Sequence, residues 1–173
     1  MQKHFIWLTA IVLALAPVTS SALDDVKILP TPIKLDTSKN RNGANTTVES
    51  KDIAYTVKVT SSFFSEITNV TVKYNIFYEV AELGSKSEPG VKLRAGSHTF
   101  PSLLTNKPVT FDTEPIKLEK ATLDGGWYFS NGASGRTKDK VVGVWFKAFD
   151  STGKQIGEYI NPTTLTRKQK WKD

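Results

Sequence analysis

Residues 140–162, KVVGVWFKAFDSTGKQIGEYINP, constrain the fold more than any other part of this chain. Side chains of an extended segment alternate between two faces. Val142, Val144, Phe146 and Ala148 then share one face, and Val141, Trp145 and Phe149 share the other with Lys147 among them. A strand apolar on both sides predicts a central strand of a sandwich. Asp150-Ser151-Thr152-Gly153 predicts a short turn, with Gly153 supplying the positive φ that closes a hairpin. Residues 155–160 return as the partner strand. Asn161-Pro162 ends it, because proline has no N–H to give to the ladder.

Two further segments carry the same two-residue period. Residues 52–60 place Ile53, Tyr55, Val57 and Val59 inward against Ala54, Thr56 and Lys58. Residues 69–80 place Val70, Val72, Tyr74, Ile76, Tyr78 and Val80 on one face, with Phe77 among the polar residues of the other. A one-residue slip would put six apolar groups in water, so the register is well specified. Weaker pieces are 91–100, broken at Gly96, and 109–111 and 116–118, where the intervening Pro115 predicts a bend at which the chain changes sheets. Phe63-Phe64 is expected to cap one end of the core. Residues 26–35 alternate but contain Pro30 and Pro32, which suits an edge strand or an extended arm. Residues 36–50 are Ser, Thr, Asn, Lys and Gly with few apolar groups, and predict an exposed flexible loop. About seven strands and no helical period predict an all-β, immunoglobulin-like antiparallel two-sheet sandwich. A small barrel is the alternative.

The first 22 residues read as a cleaved secretory signal peptide: a basic start, an apolar run from Phe5 to Val18 interrupted by Pro17, and small residues at Ser20 and Ala22. The run is shorter than the roughly 20 residues that span a bilayer, so no integral membrane span is expected after cleavage. The expected organisation is a signal peptide (1–22), an extended arm and flexible loop (23–50), the sandwich (51–162) and a basic tail (163–173). The chain has no cysteine. An exported domain without disulfides favours a bacterial source, with the protein in the periplasm, associated with the outer membrane or at the cell surface. Loss of the signal removes Lys3 alone from the 23 basic residues and none of the 17 acidic ones, so the formal charge falls from +6 to +5.

Catalytic chemistry finds little footing in this sequence. His98 is the sole histidine of the mature chain, and without cysteine it makes a poor zinc set. Its neighbour Ser97 would point to the opposite face of a strand. Asp112/Glu114 and Asp124/Asp139 pair carboxylates in sequence, but exposed charges near strand ends are the preferred explanation. No cofactor, metal site or enzymatic activity is expected. Two surface features remain as candidate ligand or partner contacts. Trp127, Tyr128 and Phe129 form an aromatic run on a loop, which either stacks on sugars, anchors a protein, or folds back to plug the sandwich end; the plug is the preferred reading. Arg167, Lys168, Lys170, Trp171 and Lys172 form the basic tail, read as a solvated segment rather than a binding arm.

Some segments carry a family resemblance. Residues 100–111, FPSLLTNKPVTF, resemble the I-P-x-L-x-x-G loop-into-strand segment of bacterial Ig-like domains, with Asn106-Lys107 where a glycine is usual. VKYNIFY (72–78), LDGGWYFSNG (123–132) and KDKVVGVWFKAFD (138–150) resemble a family of small exported Ig-like proteins of Verrucomicrobia. That family includes a protein of the Akkermansia type IV pilus-like gene cluster. The resemblance implies a non-enzymatic exported module in a pilus-associated or cell-envelope protein assembly, or in adhesion. The signal peptide lacks a prepilin junction, which argues against a major pilin. Expected partners are envelope or pilus-associated proteins, a homo-oligomer through strand pairing at residues 26–35, or a glycan at Trp127–Phe129; nucleic acid is not expected.

Overall fold

The computed structural model describes residues 25–42 and 45–173, so the expected signal peptide lies outside the described residues. They form nine strands and one helical turn: β1 (Val26–Arg41), β2 (Thr46–Ser61), β3 (Ile67–Val80), β4 (Gly90–Leu103), β5 (Val109–Asp112), β6 (Ile116–Leu123), β7 (Arg136–Lys138), β8 (Lys140–Phe149), β9 (Gln155–Asn161) and α1 (Leu165–Lys168). All strand pairs are antiparallel. One sheet runs β1-β2-β6-β7 with β5 also on β2, and the other runs β4-β3-β8-β9. The two sheets pack as a sandwich, and the core between them joins Val57, Val59, Val70, Val72, Ile76, Ile116, Phe146 and Ala148.

The hairpin read from residues 140–162 is present as β8 and β9. Gly153 closes it at φ 82°. Asp150 Oδ1 accepts from the Thr152 hydroxyl and from the amides of Thr152 and Lys154. These bonds, the Thr152 hydroxyl first, hold the Asp150 carboxyl below its ordinary range. A bulge corrects the expected faces. The β3–β8 register skips a residue between Phe77/Gly143 and Tyr78/Val141. It therefore turns Val141 toward the main core and Val142 to the far side.

Several expectations fail for physical reasons. Residues 36–41 and 46–50 are strand and not loop: β1 and β2 pair out to Arg41 and Thr47, and β6 continues along β2 to Thr46. Backbone hydrogen bonding holds this ribbon together where burial does not, and so it shows no apolar period. The described residues hold nine strands against the expected seven or so; the short β7 is the one that no apolar period marks, and the extra length of β1 and β2 changes their reach and not the count. Pro115 bends the chain without moving it to another sheet, since β5 and β6 lie end to end against β2. Gly96 does not break β4. It faces Tyr74, and a β-carbon there would collide with the phenol oxygen, so glycine makes room for the ring. Phe63 and Phe64 do not cap the core; Phe64 is fully exposed. Asn106 sits at φ 57°, taking the left-handed conformation for which the Ig-like pattern uses glycine. Pro30 and Pro32 lie in an edge strand.

Candidate functional site

The loop between β6 and β7 carries the aromatic run. Asp124 fixes its start: Oδ1 accepts from the Thr47 hydroxyl at 2.9 Å, Oδ2 lies 3.4 Å from Arg41 Nε, and the amide donates to the Asn45 carbonyl. Phe129 is half-buried, its ring so close over Gly84 that a β-carbon there would meet it at 2.8 Å. Asn131 Nδ2 donates to the Gly84 carbonyl at 3.0 Å. These contacts tie the loop to the one between β3 and β4. Trp127 and Tyr128 are left 61% and 85% exposed. The plug reading thus holds for Phe129 alone and is corrected for the other two. An anchored ring beside two open ones forms a small apolar patch held on a fixed backbone, the arrangement by which aromatic anchors reach a partner at low entropic cost.

The tail is not a solvated arm. Leu165 is buried, and its side chain lies where a β-carbon on Gly143 would be, 2.6 Å away. Trp171 packs edge-on against Trp145 with ring centres 5.5 Å apart. The Lys147 ammonium lies 5.1 Å from one ring centre and 4.9 Å from the other. Asn75, wholly buried on β3, donates to the Lys172 carbonyl at 3.0 Å. Asp173 accepts from the Trp171 indole and pairs with Lys73, and these contacts lower its pKa in that order. The apolar outer face of β8, read as the mark of a central strand, is covered by the chain's own end. Trp171 is thereby spent on packing, while Arg167, Lys168, Lys170 and Lys172 stay exposed. No hydrogen bond or ring contact among the described residues joins this cluster to Trp127 and Tyr128.

The remaining candidates have structural partners. His98 stacks on Phe111 with centres 4.7 Å apart, at the open edge of β4. Asp112 accepts from the Thr56 hydroxyl, and Glu114 pairs with Arg94 at 3.2 Å. Asp139 is buried and accepts from the amides of Ala81 and Glu119, bridging the two sheets. The paired carboxylates of the sequence are therefore tied to separate duties. A groove of about 260 Å³ opens between β1 and β8–β9, lined by Pro30, Pro32, Tyr55, Val144 and Tyr159. Burial, and then the neighbouring Tyr159, push the Tyr55 phenol above its usual range, which keeps it neutral.

Fold and surface together define an antiparallel β-sandwich with a loop-borne aromatic patch. No family model and no curated protein matches the chain. It is similar to a crystal structure described as an ApaA protein from Bordetella pertussis, at 10% identity and TM-score 0.38, over 79% of this chain and 91% of that one. It is also similar to the X-ray structure of structural-genomics target SoR45, again at 10% identity and TM-score 0.38, over 83% of this chain and 93% of that one. No helix among the described residues is long and apolar enough to cross a membrane.

Proposed function

We propose that this chain is an exported, non-enzymatic sandwich module that works by protein–protein contact in a cell-envelope or pilus-associated assembly. The observation that carries the reading is the exposure of Trp127 and Tyr128 on a loop that Phe129 and Asn131 hold in place. Interface hot spots are enriched in Trp and Tyr, and they work best where the backbone is ordered before binding. The resemblance of residues 72–78, 123–132 and 138–150 to exported Ig-like proteins supplies the setting.

A carbohydrate-binding role for the same rings is the second reading, favoured by the flat, open Trp127 indole. A photoreactive amino acid at position 128, activated in intact cells of the native host, separates the two. The protein-contact reading expects one discrete cross-linked envelope protein, lost in Trp127→Ala. Neutral polysaccharides that shift Trp127 fluorescence, with no cross-linked protein, would replace it with the glycan reading.

A further inference from the structure

The side of β2 that faces the core carries Tyr55, Val57 and Val59 under the second sheet, but it continues beyond the cover of that sheet. Cross-strand partners share a face, so the register gives its composition directly. Lys34, Ile53 and Ile116 stand in one row, followed by Thr37, Lys51 and Leu118. Past Leu118 the apolar residues stop. The next row is Lys39, Glu49, Lys120 and Lys138, and the last is Arg41, Thr47, Thr122 and Arg136. Every Lys and Arg in these rows is exposed. The ion pairs confirm the shared face: Glu49 lies between Lys39 and Lys120 at 3.9 and 3.3 Å, and Arg41 reaches Asp124. Seven cations thus meet Glu49, Asp124 and, at the rim, the buried Asp139, which leaves an excess of four positive charges on one face of β1, β2, β6 and β7.

Such an arrangement opposes folding rather than assisting it. Lys120 and Lys138 are direct cross-strand neighbours, and like charges placed so are destabilising. Glu49 already serves two lysines and cannot offset the rest. A surface that concentrates one sign of charge attracts a ligand of the other. The cations repeat about every 6.6 Å along a strand and about 4.8 Å across strands. Two shallow grooves of about 240 and 230 Å³ run between them, one lined by Lys34, Lys51, Lys120 and Lys138 and the other by Lys39, Lys120 and Thr122. An array this extended suits a chain of anionic groups better than one small anion. The face carries threonine hydroxyls at 37, 47 and 122, of which Thr47 already donates to Asp124, and its rows hold no aromatic ring, so bases of a single-stranded nucleic acid would have no stacking platform. We infer that this face binds a linear acidic polysaccharide, its carboxylate or sulfate groups meeting the Lys/Arg grid and its hydroxyls the threonines. The inference goes beyond the aromatic patch and uses none of its residues.

The test is titration of the full mature chain with a heparin-type dodecasaccharide, an oligogalacturonate of similar length and an oligo(dT) of matched charge, at several salt concentrations. At least one saccharide binds, and it binds more tightly than oligo(dT); the tighter saccharide identifies the anionic group. Replacing Lys51, Lys120 and Lys138 by Gln together weakens that binding at least about tenfold and flattens its salt dependence, because fewer counterions are released. The same charge change in the tail, Arg167→Gln with Lys168→Gln and Lys170→Gln, weakens it less than about twofold. Trp127→Ala leaves it unchanged, which keeps this result separate from that of the aromatic patch. The triple face variant melts at or above the parent's temperature, so lost binding does not reflect lost folding. Equal losses from face and tail, tighter oligo(dT) binding, or no saccharide binding at low salt would each overturn the inference.

Discussion

The β8–β9 hairpin and the far ends of β1 and β2 are both antiparallel ribbons, yet they are held together by opposite means. In β8, Phe146 and Val144 are buried in the main core and Trp145 is buried beneath the C-terminal segment. The hairpin is thus apolar on both faces and covered on both. Residues 34–41 of β1 are exposed on both faces and pair only through the backbone ladder and a few ion pairs. One ribbon is fixed by packing and leaves little surface open beyond the groove at Val144 and Tyr159. The other contributes little packing and presents a charged surface. Stability and recognition are thereby divided between two parts of one sandwich.

Side-chain truncation breaks the comparison most directly. Ile76→Ala, at a fully buried core position, lowers stability by about 2–5 kcal/mol in urea unfolding, as deletion of buried methylenes does. Leu35→Ala in the exposed ribbon stays within about 0.5 kcal/mol of the parent. A Leu35 cost as large as that of Ile76 would mean that the ribbon hides a packed face.

The tail sharpens the contrast on the other side of β8. Trp171→Ala removes the edge-on contact with Trp145 and costs about 1 kcal/mol, with a change in Trp145 fluorescence as water reaches its indole. An unchanged emission spectrum apart from the missing indole would show that the C-terminal segment does not cover the strand in solution.

The smallest effect belongs to the turn that closes the packed hairpin. The Asp150 carboxylate is lowered in pKa by its bonds to Thr152 and Lys154. A depressed folded pKa stabilises above the carboxylate's unfolded value, and that contribution is lost as pH falls through the folded one. Asp150→Ala should therefore melt below the parent at pH 6, with the gap narrowing as the pH falls below the ordinary carboxylate range and the parent loses its advantage. A constant gap would assign the cost to backbone conformation instead.

What the sequence reveals follows the same division. Strands β3 and β8 and the inner half of β2 are legible because each must bury one face, and burial leaves a two-residue apolar period. The outer ribbon leaves no such trace: Thr37, Lys39, Thr47 and Glu49 are polar whichever way they point, and only their hydrogen-bonded neighbours make them strands. Its basic face is legible only after register is known, since Lys39, Lys120 and Lys138 lie far apart in the chain and meet in one row. Along the sequence the basic residues crowd most densely in the tail instead, at Arg167, Lys168, Lys170 and Lys172. The exposure of Trp127 and Tyr128 was equally hidden, because an aromatic run has the same composition as plug or as patch. Phe129 and Gly84 decide between them through a contact 45 positions apart in the chain. The apolar second face of β8 was legible, but what covers it was not.

The account rests on the uncovered half of the larger sheet being a working surface, and residue-resolved amide chemical shifts during titration with the heparin-type dodecasaccharide test this most directly. The predicted shifts cluster at residues 37–41, 47–51, 120–122 and 136–138 and leave β8 and β9 unmoved. Shifts centred on Tyr55 and Tyr159, or spread evenly over exposed lysines including those of the tail, would contradict it.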